Sequence, residues 1–286
     1  MGAVTVVLAA LNSRSPLQRD LVNKQKEMQA IKEVLLSYAL SNPEYNNTPN
    51  GPGRLPCSDT DNDGLMDCIS SGVGLGRLPE KVVPPIGSPI FLSDRYAGTG
   101  QQFWYAVSPA FRQSSNTLNT NSSTTLSVDG VGGIVAVIIA PGPSVGGQVR
   151  INDNQASSYL ESNNATGPDF ITNHSTDPSL FNDMVVTITA GEVMTLATFR
   201  VAQEVKRVLD NYYDSNGNYP TNNGQFVSSM ATVADAWMQN NLWQNGSVTT
   251  YTPLTSSTAT VQFSSCAITY TFNRAVSGFT RSQRSC

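Results

Sequence analysis

A twelve-residue segment occurs twice in this chain, and each time a Gly-x-x-Pro follows it. Residues 31–42 align without gaps with residues 205–216. Lys32, Val34, Leu35, Tyr38, Ser41 and Asn42 meet Lys206, Val208, Leu209, Tyr212, Ser215 and Asn216, six identities in twelve positions. A polar stretch, 43–52, leads the first copy into Gly53-Arg-Leu-Pro56, and Gly217-Asn-Tyr-Pro220 follows the second directly. An amphipathic helix is stable only where another element covers its apolar stripe. Two such helix-and-turn units imply two related modules in one chain. Chance likeness between two amphipathic helices is the competing reading, and the shared turn weighs against it.

The patterns around each copy extend it into an α+β fold. Ser15, Pro16 and Gln18 supply a cap, a first helical residue and a capping-box partner. From there Leu17, Leu21, Met28, Ile31, Leu35 and Tyr38 draw one stripe, and Pro43 predicts a stop near Asn42. Strands are predicted over 102–107, 124–128, 133–140 and 184–189, with 144–178 a long surface loop. Thr189-Ala-Gly-Glu192 reads as a second capping box opening the helix that carries the repeat. A further helix is predicted near 229–240. Strand-like runs at 247–251, 258–263 and 267–272 suit an antiparallel meander. The expected organisation is an apolar remnant over 1–14, a first domain over 15–190 and a smaller helix-plus-sheet module over 191–286.

Composition narrows the function. Charged residues are only 13% of the 286, and the net charge of -4 gives no footprint for nucleic acid. The four cysteines fall as two close pairs, Cys57/Cys68 and Cys266/Cys286, without a CxxC, and the chain has one histidine. Zinc chemistry is thereby short of ligands. Two local disulfides in an oxidising compartment is the favoured reading, with free buried thiols the other. His174, in an Asn/Ser/Asp-rich stretch, reads as a solvated loop residue. No nucleophile elbow, phosphate loop or Cys/His pair occurs, so the expectation is a non-enzymatic protein. The apolar run 2–11 is too short to span a bilayer and has neither a basic region before it nor an Ala-x-Ala site after it. It reads as the back half of a longer apolar helix or as a short buried segment.

The densest chemistry is Asp59-Thr-Asp61-Asn-Asp63-Gly64-Leu65-Met-Asp67, held between Cys57 and Cys68. Carboxylates at alternate positions of a tight loop can converge on one centre, and Gly64 permits the turn. The carbonyl of Leu65 and the carboxylate of Asp67 would complete an oxygen cage for calcium. Ser70 stands where a helix-loop-helix site places its bidentate Glu, so this is no standard EF-hand. The loop resembles the Asp-rich calcium loops of extracellular modules; a solvated acidic turn is the alternative.

Together these residues resemble the type IV pilin-like proteins: pilins, minor pilins and type II secretion pseudopilins. Ser-Tyr-Ala-Leu-x-Asn at 37–42 leads into Gly-Arg-Leu-Pro-Cys at 53–57 and the Asp-rich stretch. Phe-Trp-Tyr-Ala-Val-Ser-Pro at 103–109 follows, then Val-Ala-Val-Ile-Ile-Ala-Pro-Gly at 135–142, Tyr-Leu-Glu at 159–161 and Phe-Asn-Asp-Met-Val-Val at 181–186. The likeness covers most of 17–190 and extends through 200–220. It implies a long N-terminal helix packed on an antiparallel sheet, followed by a second, smaller pilin-like module. The apolar front helix would serve as an inner-membrane anchor and then as a filament core shared with other pilin or pseudopilin subunits. Cys266 and Cys286 would supply the family's C-terminal disulfide loop. The family's processing site, a Gly followed by an aromatic or Met with a Glu at mature position five, does not occur here. The resemblance implies a periplasmic head before assembly and a cell-surface or extracellular filament afterwards. The alternative function is a secreted calcium-dependent adhesin or carbohydrate-binding module.

Overall fold

The computed structural model describes residues 16–46, 51–68, 72–82, 90–92, 102–113, 117–150, 154–172, 179–283 and 286. The apolar run 2–11, Ser15, Ser70 and His174 lie outside the described residues.

Helix α1, Pro16–Asn46, buries one side of the stretch Met28–Ala39. Met28, Ile31, Leu35, Tyr38 and Ala39 enter the core, whereas Asp20 to Glu27 stay exposed or half-buried and Leu21 is 45% exposed. Among the described side chains of the predicted stripe, packing therefore begins at Met28. The helix also runs a turn past the predicted stop. Pro43 has no N–H for the carbonyl of Ala39, and the Gly53 N–H donates to that carbonyl at 2.8 Å.

Short strands β1 (Gly76–Arg77), β2 (Lys81–Val82) and β3 (Ile90–Phe91) precede β4 (Trp104–Val107), β5 (Leu126–Val128) and the long β6 (Val131–Ala140). β7 (Asp169–Phe170) and β8 (Met184–Thr189) complete the first half. β6 is the spine. Ala136 pairs with Val107 on one side and Ile188 on the other, and Ile134 with Leu126 and Thr189. β4 and β5 thus lie end to end opposite β8, and β1 extends the sheet beyond β4. The expected antiparallel sheet is instead mixed, because β7 runs parallel to β5 through Ser127/Asp169 and Val128/Phe170.

Both faces of this sheet are covered, which its continuous apolar run requires. Ala136, Ile138 and Ala140 face α1 and the next helix, while Val137 and Ile139 pack with Trp104, Tyr159, Leu160 and Phe170. Part of the region predicted as a surface loop is therefore a strap. Residues 154–172 lay Tyr159, Leu160 and Phe170 over an apolar face that would otherwise meet water. Arg77 stacks on two rings of this layer, 3.9 Å from the centroid of Trp104 and 4.3 Å from that of Tyr159.

Helix α2, Ala190–Asn216, starts directly from β8 with the predicted capping box: Thr189 Oγ1 accepts from Glu192 N at 3.3 Å, and Glu192 Oε2 accepts from Thr189 N at 2.9 Å. Lys32 of α1 reaches this joint. Its ammonium donates to the Thr187 carbonyl at 2.8 Å and pairs with Glu192 at 2.6 Å. Two helices, α3 (Asn223–Val233) and α4 (Ala236–Asn240), occupy the stretch predicted as one. The chain turns at Ala234 because α2 satisfies the break: Glu204 accepts from Asp235 N at 2.8 Å, and Arg207 donates to Val233 O at 2.9 Å.

β9 (Thr249–Thr255), β10 (Thr258–Phe263), β11 (Thr269–Asn273) and β12 (Phe279–Arg281) form the antiparallel meander, with β12 a strand beyond the three predicted. Val261, Phe263, Tyr270 and Phe272 join the same core as α1 and α2. Asn241 binds the halves together, accepting from Arg54 at 2.8 Å and from Leu118 N at 2.7 Å. The chain is thus α+β, an N-terminal helix on a mixed, curled sheet plus a second four-stranded sheet, with one core shared by both sheets and a second, smaller one under the strap.

Candidate metal centre

The Asp-rich loop hangs between two fixed points. Cys57 and Cys68 form a disulfide, and Asp59 and Arg77 exchange backbone hydrogen bonds at 2.9 and 2.6 Å. Gly76 allows this approach, since a Cβ there would lie 2.4 Å from the Asp59 carbonyl oxygen.

Asp59 is buried and organises the turn. Its Oδ1 accepts from Asn62 N at 2.6 Å and its Oδ2 from Gly64 N at 2.8 Å. Gly64 has φ +89°, where any other residue would be strained, and a Cβ there would also press on the Glu80 carboxylate at 3.0–3.4 Å. Asp67 closes the loop from the other end: its Oδ2 accepts from Thr60 N at 2.7 Å, Thr60 Oγ1 at 2.9 Å and Asp61 N at 3.3 Å. One carboxylate oxygen each from Asp59, Asp61 and Asp67 lies within 4.8 Å of the others, a triad that could hold a metal ion. The Asp63 carboxylate accepts from Leu65 N at 2.7 Å, as in an Asx turn. Of the four predicted carboxylate ligands, the structure brings three together.

Electrostatics favour a cation. Burial raises the pKa of Asp59, the N–H groups of Gly64 and Asn62 oppose this, and the charges of Asp63 and Asp61 raise it further. A bound cation would remove that repulsion, and hard oxygen donors suit calcium or magnesium more than zinc. Sequence reasoning missed Thr60, whose backbone and hydroxyl both orient Asp67, and Glu80, whose carboxylate lies beside Gly64. Thr60 carried a local signal, because it precedes a carboxylate ladder; Glu80 arrives from β1–β2 and carried none.

The second disulfide, Cys266–Cys286, pins residue 286 beside α2, where Cys286 N donates to Thr195 Oγ1 at 2.9 Å. Both predicted pairings are formed, which places folding in an oxidising, extracytoplasmic compartment. No described helix is long and apolar enough to cross a membrane. Comparison with protein-family models, curated proteins and solved structures returns no match.

Proposed function

We propose that the chain is a non-enzymatic structural subunit of a type IV pilus or type II secretion pseudopilus, a minor or tip-located one. The observation that supports this reading most is the division of α1. The stretch from Met28 to Ala39 is sunk into the core, while Asp20 to Glu27 stay exposed or half-buried. A helix packed more deeply in its later turns leaves its earlier turns the more open to neighbours, here other pilin-like subunits and, through an apolar segment ahead of it, the inner membrane. The head then carries two disulfides and a calcium-binding Asp loop, which resist unfolding outside the cell. A second sheet enlarges the head beyond what a repeating shaft accommodates easily, in keeping with a tip position.

One observation favours a secreted binding module instead. A groove of about 590 Å³ between α2 and α3 is lined by Asn211, Tyr212, Asn216 and Gln225 among other neutral residues, a surface that suits sugars. The start of the full gene and the mature N-terminus, read from native protein, separate the two. A prepilin-type processing site and recovery of the protein in sheared filaments or pseudopili are expected. A conventional signal peptide and a freely secreted product would overturn the pilin reading.

A further inference from the structure

Two buried carboxyl groups face each other where the strap meets β8. Asp183 is fully buried and Glu161 is 7% exposed. Each caps the backbone of the other's segment. Asp183 Oδ2 accepts from Glu161 N at 3.0 Å and Asn164 Nδ2 at 3.2 Å, while Glu161 Oε2 accepts from Asn182 N and Asp183 N, both at 3.1 Å. Gln148 donates to Glu161 Oε1 at 3.1 Å. Asp183 Oδ1 is buried with no donor in reach, and the charge of Glu161 acts on it across this joint.

Two acceptors cannot bond without a proton, and two buried carboxylates side by side repel. Arg150 is the cation felt by both, and burial lowers its own pKa while Glu161, Asp183 and Tyr159 raise it. Its guanidinium donates to Gln148 Oε1 at 3.1 Å and Tyr159 O at 3.3 Å. A proton on Asp183 would relieve that repulsion.

We propose that the Glu161–Asp183 pair is a proton-operated latch, which holds the strap of residues 154–172 on the sheet while protonated and releases it as pH rises. Release would uncover Trp104, Val137 and Ile139 on the second apolar face of the sheet. Burial, more than the Glu161 charge, raises the Asp183 pKa, to about 8. The open strap returns Asp183 to water, where a carboxyl titrates near 3.9. The closed state thus binds the extra proton, and its advantage, full below about pH 4, is lost as pH climbs to about 8.

Hydrogen exchange of the full chain, followed by mass spectrometry and corrected for intrinsic rates, tests the latch. Strap peptides should lose protection roughly tenfold per pH unit between pH 6 and 8, relative to α2 peptides. Asp183→Asn keeps an acceptor for Glu161 N and gains a donor for Glu161, so it should flatten that profile. Equal pH responses of strap and α2 in the wild type would overturn the proposal, as would an unchanged slope in Asp183→Asn. Should Asp183→Asn fail to fold, the wild-type comparison alone decides.

Discussion

The two halves of the molecule repeat a helix followed by a sheet, yet they bury those sheets differently. In the first half, residues 134–140 of β6 are buried without interruption, because helices cover one face and the strap the other. In the second half the burial alternates: Tyr251, Val261, Phe263, Tyr270 and Phe272 point to α2 and α3, while Thr252 and Gln262 face solvent. A sheet covered on both faces needs a second covering element, and the first half draws it from irregular chain. That difference explains why one half carries long excursions between strands and the other a tight meander.

Substitutions along the two central strands should break the comparison most sharply. Ile138→Ala and Ile139→Ala are adjacent and face opposite ways, yet each should destabilise by about 2–5 kcal/mol. In β10, Phe263→Ala should cost about 3–5 kcal/mol and its neighbour Gln262→Ala stay within about 0.5 kcal/mol. Chemical denaturation measures all four. An Ile139→Ala variant as mild as Gln262→Ala would show that the strap does not seal its face.

The disulfides should divide the same way. Their sequence separations of 11 and 20 predict about 3 kcal/mol for each on a chain-entropy basis. Removing Cys57–Cys68 by paired Ser substitution should loosen the Asp loop and β1, and removing Cys266–Cys286 should loosen residue 286 and the β10–β11 turn. Exchange protection resolves the two. Identical patterns of loss would deny the halves separate local roles.

Calcium sharpens the contrast further, since the triad sits in the first half. A hundredfold excess of Ca²⁺ over its dissociation constant should add about 2.7 kcal/mol against EDTA. Asp61→Ala, at an exposed position, should remove the response in a thermal melt. A wild-type midpoint indifferent to both additions would take the metal out of the account.

How far sequence sufficed follows the same division. β8 matches the predicted 184–189 and β10 the predicted 258–263, because β-branched runs between turn residues specify strands locally. The Thr189/Glu192 box was legible for the same reason. The strap was not, since Tyr159, Leu160 and Phe170 are scattered among Asn, Ser and Gly, and only the bare face of β6 recruits them. The extra turn of α1 depends on Gly53, ten residues past Pro43. At the metal centre the residue types were visible, but which carboxylates converge depends on how Asn62 and Gly64 turn the backbone onto Asp59.

The smallest test returns to the recurring segment. Lys32 and Lys206 occupy the same position of the repeat, and Ser41 and Ser215 repeat the same bond back to residues 37 and 211, at 2.8 and 3.1 Å. Their lysines nonetheless differ. Lys206 pairs with Asp210 on its own helix, an i,i+4 contact worth about 0.3–0.5 kcal/mol, and Tyr219 also holds Asp210 at 2.9 Å. Lys32 instead crosses to the open edge of β8 and the cap of α2, tying three elements with one ammonium. Lys32→Met should therefore cost about 1 kcal/mol, more than Lys206→Met, and a Lys32/Glu192 double-mutant cycle should show coupling. Equal losses without coupling would mean that α1 docks on α2 through apolar contact alone, and that the two copies are alike as helices but not as joints.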